Sequence, residues 1–328
     1  MFLLLPFAFV VIGAIVVVAV VLRTRSRARL AESIETSPEL DAVVRGIRLR
    51  MTVALLIFLV VGFLLALDPL SLQPRGWLGL LQALGGAVAA ILACAVFVAS
   101  PLAAWPSSTG VRTAELVPRG GGSFGPRWGF TLPLVSGGIL VSFLVLTGLA
   151  SSRDDFGLFR AFTIAYGNGS STSSPYPGWF YGVPIIGATL VLGVVVLLAL
   201  RRIALAPRPA SPIFFDADDA ARRTLTRFVM LLSSSALLLY FGAVAALAGQ
   251  ITSNAATNLT NLPDWSISPS GPGPDVDQVP LVLQSSFLIG RVELVLGVGL
   301  VLLGLVLLVT AAVTSTVRWA PSRESVDA

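Results

Sequence analysis

Seven apolar runs, each long enough or nearly long enough to cross a lipid bilayer, leave this chain few ways to fold. They cover residues 2–22, 51–67, 78–100, 129–150, 180–200, 228–249 and 288–313. A hydrocarbon core about 30 Å thick is crossed by about 20 helical residues. Backbone amides left unpaired in lipid are costly, so a spanning segment is either a helix or a strand of a closed barrel. None of the seven runs alternates apolar and polar residues as barrel strands do. The sequence therefore predicts an all-α membrane protein with seven transmembrane helices. The second run is short, and the amphipathic residues before Met51 are expected to lengthen it. Composition agrees: 55% apolar residues, 12% charged and a mean hydropathy of +0.88 are values for a protein whose solvent is largely lipid.

Arginine placement orients the helices. Every one of the 22 basic residues is Arg. With the N-terminus outside, segments 23–50, 101–128, 201–227 and 314–328 are cytoplasmic and hold 18 of those 22 arginines. Only Arg75, Arg153, Arg160 and Arg291 fall outside, the asymmetry that the positive-inside rule demands. The first run has no basic residue ahead of it and Arg23, Arg25, Arg27 and Arg29 behind it, so it reads as a retained reversed anchor rather than a cleaved signal. Trp77, Trp128, Trp179, Tyr181 and Trp319 stand at run ends, where aromatic rings sit among headgroups. A multi-pass plasma-membrane location with a cytoplasmic C-terminus follows as the expectation. The arginines border membrane runs and no soluble segment is long enough to grip a duplex, so the expected partner is the bilayer and not nucleic acid.

Missing residue types exclude much chemistry. The chain has no His and a single cysteine, Cys94. A Ser-His-Asp triad, imidazole ligation of haem or metal, and zinc or iron–sulfur binding by cysteine clusters are all ruled out. Without Lys there is neither a P-loop lysine nor a Schiff base. No cofactor is expected, and the chain reads as non-enzymatic. No ionisable residue lies at mid-depth in any run, which argues against ion-coupled pumping and intramembrane aspartyl proteolysis.

The first three runs resemble the last three. Val11-Ile12-Gly13 and Ala19 match Val191-Leu192-Gly193 and Ala199 in spacing, and Arg-rich linkers with Ser37-Pro38 and Ser211-Pro212 follow. Asp41 to Arg45 corresponds to Asp219 to Arg223, and Leu84-Gly85-Gly86 to Leu296-Gly297-Val298. The copies run in the same direction, so the fourth run becomes a linker helix between two parallel three-helix repeats. Residues 1–118 form the first unit with cytoplasmic linker 23–50. Residues 119–178 hold the linker helix and an exterior loop. Residues 179–328 form the second unit with linker 201–227 and exterior loop 250–287. This plan resembles that of the sugar-facilitator family, built from two parallel three-helix bundles, at the level of topology. That family carries a proline in each of four pore helices. Here Pro6 and Pro184 could serve in the first and fifth runs but the second and sixth have none, so no substrate or site residue is carried over.

Candidate contact residues lie at the ends of the helices. Gln82, Arg291 and Glu293 are the polar groups nearest the outer mouth, as headgroup anchors or as gate contacts. Arg45, Arg48, Arg222, Arg223 and Arg227 border the cytoplasmic linkers, where they could hold anionic lipid or a partner protein. Asp41 with Arg45 and Asp219 with Arg223 are one helical turn apart. Ser233-Ser234-Ser235 reads as packing or as the lining for a small neutral solute. Gly85, Gly86, Ala89, Ala90 and Ala93 form a small-residue face that admits another backbone. Gly120, Gly122 and Gly125 have dinucleotide-loop spacing without the strand that motif needs, and read as a turn. Asp154-Asp155 is the only adjacent acidic pair outside and could hold a metal, although a solvated loop is the simpler expectation.

Three functions fit these features. The first is a non-enzymatic scaffold or accessory subunit that touches partners through its linkers or exterior loops. The alternative is a facilitative transporter of a small uncharged solute. A transferase using Asp154 and Asp155 ranks below both.

Overall fold

The computed structural model describes residues 38–67, 78–100, 124–166, 169–209, 214–260 and 281–315. The chain is mostly helical, with α1 Pro38–Leu67, α2 Leu80–Ala99, α3 Arg127–Ala150, α4 Trp179–Leu205, α5 Phe215–Thr260 and α6 Leu281–Thr314. All six helices are long and apolar enough to cross a membrane. The run at 2–22, residues 23–37 of the first linker with Ser37, and Gly120 and Gly122 lie outside the described residues. The second run and the amphipathic residues before it form one helix, as expected, and the linker before the sixth run likewise continues into it. By a rise of about 1.5 Å per residue, the 46-residue α5 is about 69 Å long, well beyond the hydrocarbon thickness.

The chain packs as two compact units. Among the described residues, the first draws on those within 38–135, 188–236 and 305–315, the second on those within 136–187 and 237–304.

In the first unit, Val43, Ile47, Met51, Ala54, Leu55 and Phe58 recur at helical spacing along α1 and are buried. From Met51 onward α1 makes one side of a close crossing with α2, whose Gly85, Ala89, Ala90, Ala93 and Cys94 form a buried small-residue face. A Cβ on Gly85 would come within 2.9 Å of the Leu65 Cβ, so the helices meet nearly backbone to backbone. Arg50 Nε donates to Ser100 Oγ at 2.8 Å and fixes α1 to the end of α2. The other side of α1 presents Leu49, Leu56, Val60 and Leu64, each at least half exposed. Apolar residues directed outward in such numbers are compatible with a helix long and apolar enough to cross a membrane.

In the second unit α5 and α6 run antiparallel along a seam of glycines spaced by seven. A Cβ on Gly242 would lie 2.5 Å from the Gly297 carbonyl oxygen, and one on Gly249 2.5 Å from the Leu294 amide nitrogen. A Cβ on Gly290 would come within 2.7 Å of the Ser253 amide nitrogen. No residue with a side chain fits at these crossings without separating the helices.

The expectation of a purely helical fold with a solvated loop at 151–178 is corrected by a small antiparallel sheet. Strands β1 Ser152–Arg153, β2 Phe159–Tyr166 and β3 Gly169–Ser173 are ordered β1-β2-β3. Thr163 stands opposite Thr172 and Ile164 opposite Ser171. The Thr163 hydroxyl is 2.7 Å from that of Ser152 and 2.9 Å from that of Thr172, a cross-strand hydroxyl ladder on the exposed side. Ile164 packs on Ala255, Ala256 and Leu283, with Phe162 against them. Burial of these β-formers on the helix ends makes the sheet worth forming.

The exterior loop expected at 250–287 is shortened at both ends, and its residues 261–280 lie outside the described residues. Helix α5 continues to Thr260 and α6 begins at Leu281. Tertiary packing overrides the polar composition there: Ala255 and Ala256 are buried under the sheet. Gln250 Nε2 donates to Asn254 Oδ1 at 3.0 Å, and Thr257 Oγ1 donates to the Ser253 carbonyl at 2.9 Å.

Candidate functional site

The lobe between α3 and α4 has a fixed base and an apolar tip. Residues 154–158 close the β1–β2 hairpin around Asp154, whose Oδ1 accepts the Phe156 and Leu158 amides at 2.9 Å each. Its Oδ2 accepts from Arg160 Nε. Such an aspartate replaces part of a backbone turn with its own side chain. Desolvation pushes the Asp154 carboxyl up. The Leu158 amide, the Arg160 guanidinium and the Phe156 amide outweigh it and hold the group below the usual carboxylate value. Arg160 also bonds the Tyr181 hydroxyl at the start of α4 and lies 5.6 Å from the centroid of the Phe156 ring. One guanidinium thereby joins the hairpin to a helix end. Beyond that base, Phe156 is 71% exposed and Phe159 40%.

Tyr176 closes the lobe from the other side. Its ring is buried with Ala248 and Ile251, with Phe143 and Phe162 packed against it. Burial first, and then the nearby Glu293 carboxylate, push its phenol above the ordinary value, while a hydrogen bond with Thr252 works the other way. Glu293 is half-buried, and its Oε2 is shielded without a hydrogen-bond partner among the described residues. The sequence made Glu293 and Arg291 candidate outer-mouth contacts. Their environments differ: Arg291 is exposed, 5.0 Å from the centroid of the Phe287 ring. Gln82 is half-buried in α2.

Neither Asp154 nor Asp155 is set up as a metal ligand. Asp154 has both oxygens engaged in its own turn, Asp155 is exposed, and no cluster of three metal-ligating side chains occurs among the described residues.

The linker arginines divide by burial. Arg45, Arg223 and Arg227 are exposed and Arg48 is half-buried. Arg222 is fully buried. Its Nε donates to Asp218 Oδ2 at 2.8 Å. Its terminal nitrogens donate to the carbonyls of Ile203 at 2.8 Å, Ala204 at 3.0 Å and Ala206 at 2.8 Å. These are carbonyls that the end of α4 cannot satisfy itself, so Arg222 caps one helix from the side of another. Asp219 pairs with Arg208 at 3.0 Å, and it is Asp218 with Arg222 that makes the one-turn pair. Sequence spacing alone favoured Asp219 with Arg223. The signal for the other choice was present, because Ala217, Ala221, Leu225 and Phe228 form a buried stripe that carries Asp218 and Arg222 at its edge.

Ser233, Ser234 and Ser235 are all buried. Ser233 Oγ donates to the Met230 carbonyl at 3.1 Å, a local bond that suits packing. The cavity beside Ser234, lined also by Arg227, Met230 and Gly129, holds about 10 Å³, room for about one water. Gly125 is held by sterics: a Cβ there would come within 2.8 Å of the Phe130 ring. No known protein family, curated protein or solved structure matches this chain.

Proposed function

We propose that the chain is a seven-span plasma-membrane protein, N-terminus outside and C-terminus cytoplasmic, acting as a non-enzymatic scaffold or accessory subunit. The lobe between α3 and α4 then lies outside and holds a partner protein. Arg45, Arg223 and Arg227 lie at the cytoplasmic headgroup layer, where the positive-inside rule puts them.

One observation carries this reading: the hairpin is fixed at its base by Asp154, Arg160 and Tyr181 while its tip exposes Phe156. A connection that merely joined two helices would need no such anchoring. Rigid, exposed aromatic side chains are effective binding anchors because little conformational freedom remains to be lost on contact.

The test is photo-crosslinking in intact membranes from a photoreactive residue at position 156. A discrete adduct with a second protein is the expected result. Adducts with lipid alone, or none, would overturn the reading.

A further inference from the structure

The C-terminal end of α4 bears a groove of about 520 Å³ lined by Val98, Leu198, Arg201, Arg202, Leu205, Ala206 and Pro207. Leu198, Arg201, Arg202 and Leu205 follow the i, i+3, i+4, i+7 spacing of a single helical face. Val98, near the end of α2, supplies a further apolar wall. From Trp179 to Arg201 is about 33 Å of helix at about 1.5 Å per residue, so the groove lies where an apolar span meets headgroups. Both arginines are exposed, as are Leu198 at 44% and Leu205 at 60%.

Among the described residues no ion pair engages Arg201 or Arg202. Of the acids of α5, Asp218 pairs with Arg222 and Asp219 with Arg208, while Asp216 is exposed. Carbonyl oxygens at the end of a helix ordinarily concentrate negative potential there. Here those of Ile203, Ala204 and Ala206 are capped by Arg222. An anion arriving at Arg201 and Arg202 therefore meets two cations without the usual opposing field.

We infer that this groove binds one anionic phospholipid, its phosphate on Arg201 and Arg202 and an acyl chain along Leu198, Leu205 and Val98. The apolar walls match the acyl chain and the two exposed guanidinium groups match a phosphate, which they can grip by paired hydrogen bonds. A neutral lipid would leave the charge unanswered, and a soluble anion would leave the walls bare.

Native mass spectrometry of the full chain in detergent, with dioleoylphosphatidylglycerol or dioleoylphosphatidylcholine added, tests the assignment. Phosphatidylglycerol is expected to be retained preferentially. Replacing Arg201 and Arg202 together by Gln should weaken retention by about tenfold to thirtyfold, from the usual attraction of a basic residue to anionic lipid. Val98→Trp, which fills the groove and keeps both charges, should also weaken retention and serves if the double variant does not fold. Arg153→Gln, in the other unit, should leave it unchanged. Equal retention of the two lipids would overturn the inference. So would full retention by Val98→Trp, a loss in Arg153→Gln equal to that of the double variant, or displacement of the lipid by millimolar inorganic phosphate.

Discussion

Gly242 of α5 lies so close to Gly297 of α6 that a methyl group on either would press into the other helix's backbone: a Cβ on Gly297 would come within 2.5 Å of the Ala246 amide nitrogen. Lipid supplies no hydrophobic force between two helices, so contact of this kind is a main source of their association. Gly297→Ala is expected to cost about 1–3 kcal/mol, the usual range for overpacking. Gly299→Ala, where a Cβ would meet nothing within 4 Å, should be close to neutral. Resistance to unfolding by a denaturing detergent, followed by circular dichroism, compares the two.

Arg222 should prove one of the least replaceable residues of the first unit. Arg222→Met takes from buried Asp218 its 2.8 Å partner, leaving Arg208 at 3.9 Å, and uncaps the carbonyls of Ile203, Ala204 and Ala206; removal of one partner from a buried pair costs about 3–5 kcal/mol. Replacing Asp218 by Leu in the same chain should recover part of that loss, because the buried charge goes with it. Arg223→Met, at the exposed neighbour, should stay within about 0.5 kcal/mol of the parent. Unfolding midpoints of the four proteins decide the matter.

The hairpin base should be sensitive to acid. Asp154 is held below its unfolded value, which is about 3.9. Its contribution is therefore fully present above about pH 4 and is lost as pH falls through the depressed folded value. Hydrogen exchange at the Phe156 and Leu158 amides, corrected for intrinsic rates, should quicken on acidification across that window. Asp154→Asn should show fast exchange already at neutral pH and little further change.

The tip should separate binding from stability. Phe156→Ser removes an exposed ring and should move the unfolding midpoint by no more than about 0.5 kcal/mol of stability. Arg160→Gln removes a part-buried guanidinium and should loosen the lobe, exposing the Phe156 and Leu158 amides. Both variants should lose partner capture, the first with an intact lobe and the second without one.

Much of this architecture could be read from residue order. The apolar runs located the six described helices, and the row Gly85, Ala89, Ala90, Ala93 announced a close backbone crossing without saying that α1 makes it. The sheet was missed because its alternation is brief: Phe162 and Ile164 point one way for only a few residues, and β3 is almost entirely Ser and Thr. Its stability comes from Ala255, Ala256 and Leu283, about ninety to one hundred and twenty residues further along. Helix ends were misplaced for the same reason, since Gln250 to Thr260 looks like a loop until something covers Ala255. The seven-residue glycine spacing was visible within each run, but nothing in either run says that the other faces it. Among adjacent arginines, the helical phase set by Ala217 and Ala221 decides which one turns inward.

Cys94 sits among the alanines of α2 with no accessible surface, and the chain contains no other thiol. Maleimide reagents should therefore leave the native protein unlabelled, and a cysteine introduced at position 156 would react alone. Sidedness can then be read by whether a membrane-impermeant probe reaches that position from outside sealed cells, with the parent sequence as its own blank.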